Sequence, residues 1–234
     1  MADAMQTTAQ LPAVDPLFQS LFGSVDKFAP EVQTFLMLSA LSFIPIFLIA
    51  MTAFTRILIV LSLLRQALGL QQTPPNLVLM TLALFLTFYT MSPVFDAALQ
   101  QGWIPFSQGS IDAAQALTSA LEPFKSFMIQ QTREQDFVAI ASMSGQPLPT
   151  TPNEVKFAEL VPAFLLSELT TAFKMAFVIF IPFLLIDLVV ASVLMALGMM
   201  MVPPITVSLP LKIMLFVLID GWALVSQSLV SSFQ

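Results

Sequence analysis

The chain has 234 residues, 57% of them apolar, and a formal charge of −6 from 14 acidic and 8 basic side chains. It contains neither cysteine nor histidine, which removes disulfides, Fe–S clusters, ordinary zinc sites and every His-dependent nucleophile. No GxxxxGK[ST] or GxGxxG run marks a nucleotide, no cofactor is expected, and the acidic balance argues against nucleic acid as a partner.

A mean hydropathy of +0.89 places most of the chain out of bulk water, and the expected fold is an all-α membrane protein. It is read as two long broken helical hairpins, four apolar segments in all, with a small helical polar insertion. Residues 1–33 are polar and acidic, and no basic stretch followed by an apolar core marks a signal peptide after Met1. Residues 34–99 form the first hairpin. Its first segment, Phe35 to Leu64, carries Pro45 and Arg56 and exceeds a hydrocarbon core of about 30 Å, so it tilts, kinks at Pro45 or leaves the lipid. Its second, Leu77 to Leu99, carries Pro93 and Asp96; Thr73 is the expected cap before it, with Pro74 at the first helical position.

Residues 100–159 are the polar insertion, an amphipathic helical pair divided at Pro123 with Leu117, Leu121, Phe124 and Met128 at helical spacing. After a linker at Gly145–Pro149, Thr151, Pro152 and Glu154 form a capping box that starts the next helix. Residues 160–234 form the second hairpin. Its first arm, Leu160 to Leu197, is too long for one simple span, and Pro162 and Pro182 are the expected break points; its second arm is about Leu209 to Val230. Arg56 and Arg65 flank the short 65–76 connection without acids, which puts that loop in the cytoplasm and the 100–159 module and the N-terminus outside.

Seven charges lie inside apolar runs: Arg56, Asp96, Glu168, Lys174, Asp187, Lys212 and Asp220. A charge at the centre of a bilayer costs about 2.5–3.5 kcal/mol on insertion scales, so seven of both signs imply the interior of an assembly or a water-filled path. Arg56 either snorkels inward or neutralises an acid such as Asp96. Asp187 and Lys212 pair with one another if the hairpin turns near Met200, and with a neighbouring subunit otherwise. Asp187 and Asp220 lack the frame of an intramembrane aspartyl protease: the one glycine beside either is Gly221. No catalytic residue is assigned. Met199, Met200 and Met201 point in three directions on a helix and cannot share one packing face. Between Gly198 and Pro203 they are either apolar residues at a helix end or a compliant lining for a shared opening.

Several stretches together resemble the FliP family of flagellar type III export proteins, whose injectisome relatives, the SctR proteins, share the outline. They are Met51-Thr-Ala-Phe-Thr-Arg56, Leu61 to Gly69, Gln72-Thr-Pro-Pro-Asn76, Leu84-Phe-Leu-Thr-Phe88 and Met91-Ser-Pro-Val-Phe95. Glu159 to Phe164, Ser167-Glu-Leu169, Ile181 to Ser192, Gly198-Met-Met-Met201, Ser208-Leu-Pro210 and Phe216 to Trp222 complete the pattern. Family members commonly carry a lysine where Thr170 stands, and Lys174 lies one helical turn further on. The resemblance implies a core subunit of the export gate in the bacterial inner membrane, at the flagellar basal body. It implies several copies, five by resemblance, that associate with FliQ-like and FliR-like subunits and other export-apparatus membrane subunits in a helical complex. It also implies that Met199–Met201 narrow a channel for transient, unfolded flagellar proteins, and that the seven charges are buried or lie between subunits. An injectisome gate, a proton-coupled small-solute transporter using Asp187 and Asp220, and a purely structural membrane scaffold are the competing readings.

Overall fold

A computed structural model describes residues 49–144, 155–199 and 201–233, together with isolated positions 38, 39, 42 and 46. Among the described residues the fold is all helical, with no strand. The helices are α1 (Phe54–Ala67), α2 (Asn76–Ala98), a π-helical turn (Leu99–Trp103), α3 (Ile104–Ser107), α4 (Ala113–Gln131), α5 (Glu134–Ser144), α6 (Phe157–Ala196), α7 (Pro204–Leu218) and α8 (Gly221–Ser231).

Two of these are long and apolar enough to cross a membrane: α2 with its continuation to Ser107, and α6. The pair α7 and α8 makes a third if the two are one span bent by 65°. At about 1.5 Å per residue the 40 residues of α6 run about 60 Å, twice a hydrocarbon core. α1 is the hub. Its Ile57, Val60, Leu61 and Leu64 are fully buried, and it packs on both α2 and α6. Phe164 and Leu160 of α6, Leu79 and Ala83 of α2, and Met128 of α4 close the same core.

Proline departs most from the sequence reading. Pro162 and Pro182 lie inside the unbroken α6, and Pro123 inside the unbroken α4. A proline within a helix loses one backbone bond and crowds the preceding turn, at about 3 kcal/mol. Both α6 prolines lie on the exposed side of the helix; the same turns bury Leu160, Ala163 and Phe164 near Pro162 and Phe183 beside Pro182, and that packing of the inner face offsets the loss. The α4–α5 division falls instead at Thr132, where the backbone turns extended and the hydroxyl donates back to Met128 O at 2.7 Å. Asp112 caps the start of α4 by accepting from Gln115 N at 2.7 Å. Of the four residues expected on one face of α4, Phe124 and Met128 are buried, whereas Leu117 is 44% exposed.

Thr73 and Pro74 do not start α2: the helix begins at Asn76 with Pro75 as its N-cap. Pro45 and the capping box at 151–154 lie outside the described residues; the helix that follows the box begins at Phe157. The last segment is not one helix. Asp220 takes a left-handed conformation (φ 49°) between α7 and α8.

Candidate functional site: two interhelical charge stations and an exposed methionine turn

Arg56 sits in the first turn of α1 and is 2% exposed, so its guanidinium needs an acceptor for each of its five N–H groups. Every one is supplied. Nε donates to Glu168 Oε2 at 2.9 Å, and Nη2 donates to Glu168 Oε1, which makes the pair bidentate. Nη2 also donates to Gln131 Oε1 at 3.1 Å, while Nη1 donates to the backbone carbonyl and the hydroxyl of Ser232 at 3.1 and 3.2 Å. Phe233 lies flat under the cation, 3.9 Å from Cζ to the ring centroid, and stacks on Phe127 of α4. Gln131 Nε2 donates to Phe233 O at 3.3 Å. Ser167, beside Glu168, accepts from Arg133 N at 2.9 Å. One guanidinium therefore ties together α1, the end of α4, α6 and the segment after α8.

The second station lies about 28 Å further along α6, nineteen residues on at about 1.5 Å each. Lys212 of α7 is 4% exposed and donates to Asp187 Oδ2 at 2.6 Å and to Ala67 O at 3.2 Å. Ala67 is the last residue of α1, so the ammonium meets the negative end of that helix and a carboxylate together. Phe183 and Phe216 pack one turn away, which fixes α6 and α7 as an antiparallel hairpin in register.

The hairpin turns sharply. Gly198 ends α6 at φ 72°, a conformation that disfavours side chains. Met199 N donates to Leu194 O and Gly198 N to Met195 O, the paired bonds of a Schellman cap. Pro203 then caps α7, with Pro204 at its first position. On this turn Met199 is 44% exposed and Met201 97% exposed; Met200 lies outside the described residues. Neither described thioether packs into the chain's own core.

The seven charges thus separate. Arg56 pairs with Glu168 and Lys212 with Asp187. The alternative of Arg56 with Asp96 is not what the fold makes: Asp96 is exposed at the far end of α2, and Glu168 occupies the guanidinium. Lys174 and Asp220 are also exposed, and neither makes an ion pair among the described residues. The sequence reading missed Gln131, Ser232 and Phe233. No residue type or spacing singled them out, since each is an ordinary helix-end or tail residue until the chain closes around Arg56. Among the described residues no three acidic groups gather as a metal site.

The FliP family profile matches residues 37–229, nearly the whole of this architecture. The chain belongs to the FliP family. It is 52% identical over 225 residues to the flagellar biosynthetic protein FliP of Pectobacterium carotovorum, covering 96% of this chain and 86% of that one. It is 47% identical over 218 residues to that of Bacillus subtilis, covering 92% of this chain and 99% of the relative. Against that of Borreliella burgdorferi the identity is 41% over 233 residues, 98% of this chain and 91% of the relative. Arg56, Glu168, Asp187, Lys212 and the methionine turn all fall within the span that the family profile matches.

Proposed function

We propose that this FliP-family chain is a core subunit of the flagellar type III protein export gate, in the inner membrane at the flagellar basal body. Several copies assemble with FliQ-like and FliR-like subunits around a channel for unfolded flagellar proteins. The observation that carries the reading is the family match across residues 37–229, with relatives named as flagellar biosynthetic proteins.

Two features of the fold support it. Exposed apolar side chains on α2 and its continuation run from Leu77 to Phe106, about 45 Å, which is half again the thickness of a hydrocarbon core. The excess calls for cover by protein, as in a multi-subunit complex. The bare thioethers of the α6–α7 turn are apolar, flexible and unclaimed by the chain's own core, which suits a constriction that deforms around varied passengers. The polar module at 100–159 then lies outside the cytoplasm, and the two hairpins that flank it supply the four apolar segments. Deleting the gene in a flagellated host is expected to abolish secretion of hook and filament subunits while leaving their synthesis intact, and complementation restores it. Continued secretion in the deletion strain would sink the reading.

A further inference from the structure

We propose that Met199 and Met201 form a site of reversible oxidation, at which a peroxide makes the α6–α7 turn polar and lets ions through the opening it lines. The effect on an opening rests on the export reading above; the modification itself rests on exposure and packing.

The chain has 14 methionines and no cysteine, so all of its sulfur is thioether. The fold sorts the described methionines by surroundings. Met91 and Met128 are 0% exposed in the core, and Met51 and Met175 are packed half-buried against it. Met80, Met195 and Met214 are exposed, but on the apolar helices α2, α6 and α7, whose Leu, Val and Phe neighbours keep water scarce once lipid or another subunit covers them. Met143 at the end of α5, between Ser142 and Ser144, and the two methionines of the α6–α7 turn are the ones left open outside such a face.

Oxidation of a thioether needs water at the sulfur. The sulfur lone pair attacks one oxygen of hydrogen peroxide, an S–O bond forms as the O–O bond breaks, and the second oxygen takes a proton from the first and leaves as water. Sulfur loses two electrons and the peroxide gains them. The proton moves through solvent, so a sulfur in the core or under an apolar cover reacts slowly.

The turn tolerates the change. Met199 N donates to Leu194 O at 2.9 Å and Gly198 N to Met195 O at 3.0 Å, and Pro203 caps α7, so the backbone sets its shape without any methionine side chain. A sulfoxide at Met201, 97% exposed, therefore costs no core packing, whereas one at Met91 or Met128 puts a polar oxygen among buried apolar groups. What changes is the lining. An apolar constriction holds back ions by staying dry, and a sulfoxide oxygen accepts hydrogen bonds from water. Several copies bring the same change to one opening, and methionine sulfoxide reductases undo it.

The test takes the full-length protein with the subunits that co-purify, reconstituted in vesicles, and adds hydrogen peroxide. Fragment-ion mass spectrometry is expected to find one added oxygen on Met199 and Met201, as on Met143, with Met91 and Met128 unchanged. Ion conductance per complex rises severalfold in parallel, and the two epimer-specific methionine sulfoxide reductases together reverse both readings. Met143→Leu keeps the conductance response; Met199→Leu with Met200→Leu and Met201→Leu loses it, from whatever conductance that variant starts. No added oxygen at 199 or 201 while Met143 carries one overturns the site. Added oxygen there with conductance unchanged, or a response that persists in the triple leucine variant, overturns its effect on the opening. These failures leave the export reading standing, since that reading falls only with continued secretion in the deletion strain. Continued secretion there discards the export reading and leaves the modification site to the mass measurement.

Discussion

Replacing Glu168 with glutamine removes a charge and almost no volume, and the consequence can be worked from the Arg56 station. Glu168 is fully buried, and two of the five guanidinium N–H groups end on its two oxygens. In Glu168→Gln one of those donors faces an amide N–H instead of an acceptor, and a cation only 2% exposed loses its counter-charge. Breaking one side of a buried ion pair costs about 3–5 kcal/mol, because the partner stays buried and uncompensated. A loss of about 3 kcal/mol raises the unfolded population about a hundredfold. Removing both charges, as in Arg56→Met with Glu168→Leu, leaves only Gln131 and Ser232 short of a donor. That double change is therefore expected to cost at least about 2 kcal/mol less than the sum of its single changes. The assay is reversible unfolding of the full chain in bicelles by graded denaturant, followed through Trp103 and Trp222. A Glu168→Gln loss below about 1 kcal/mol, or strict additivity in the cycle, would refute the reasoning.

Other changes follow from the same geometry. In Gly221→Ala the added methyl runs into the Phe216 ring, so complex yield and melting temperature should fall, with about 1–3 kcal/mol of overpacking; Phe216→Leu in the same chain should recover part of the loss. Asp187→Ala should reduce oligomer recovery and secretion together. Exchanging Asp187 and Lys212 should not restore either, because the carboxylate placed at position 212 faces the carbonyl of Ala67, to which the native ammonium donates; full recovery in pull-down yield would contradict this. Gln108→Cys, exposed beyond α3, should react with a membrane-impermeant maleimide added outside the cytoplasmic membrane. Labelling only from the cytoplasmic side would reverse the orientation. Gln131 is a poorer probe for that purpose, being held against Arg56 and Phe233.

Helical class and the presence of long apolar helices able to span a membrane were legible because hydropathy and composition carry them directly. The rotation of each helix was not. α6 is apolar on nearly every side, so nothing in its pattern says that Glu168 turns inward while Lys174 turns outward; neighbours made by the fold decide that. Proline misled for a related reason. Its local cost is visible in the sequence, whereas the packing of the inner face of α6, through Leu160, Phe164 and Phe183, that offsets it is tertiary. The break at Asp220 was available, since Asp-Gly is a turn signal, but the apolar run on both sides concealed it. The pairing of Asp187 with Lys212 hinged on where the turn centres, and the Schellman cap at Gly198 is what brings the two level.

The central claim is that unfolded flagellar proteins pass the methionine turn. Its most direct measurement places a photo-cross-linker at Met201, in cells that hold an export substrate stalled by a folded domain at its trailing end. The account predicts a covalent adduct between this chain and the stalled substrate, absent when the crosslinker sits at Leu117 on α4 or when no substrate is stalled. Secretion that continues normally with no adduct at Met199 or Met201, or an adduct equally strong at Leu117, would contradict it.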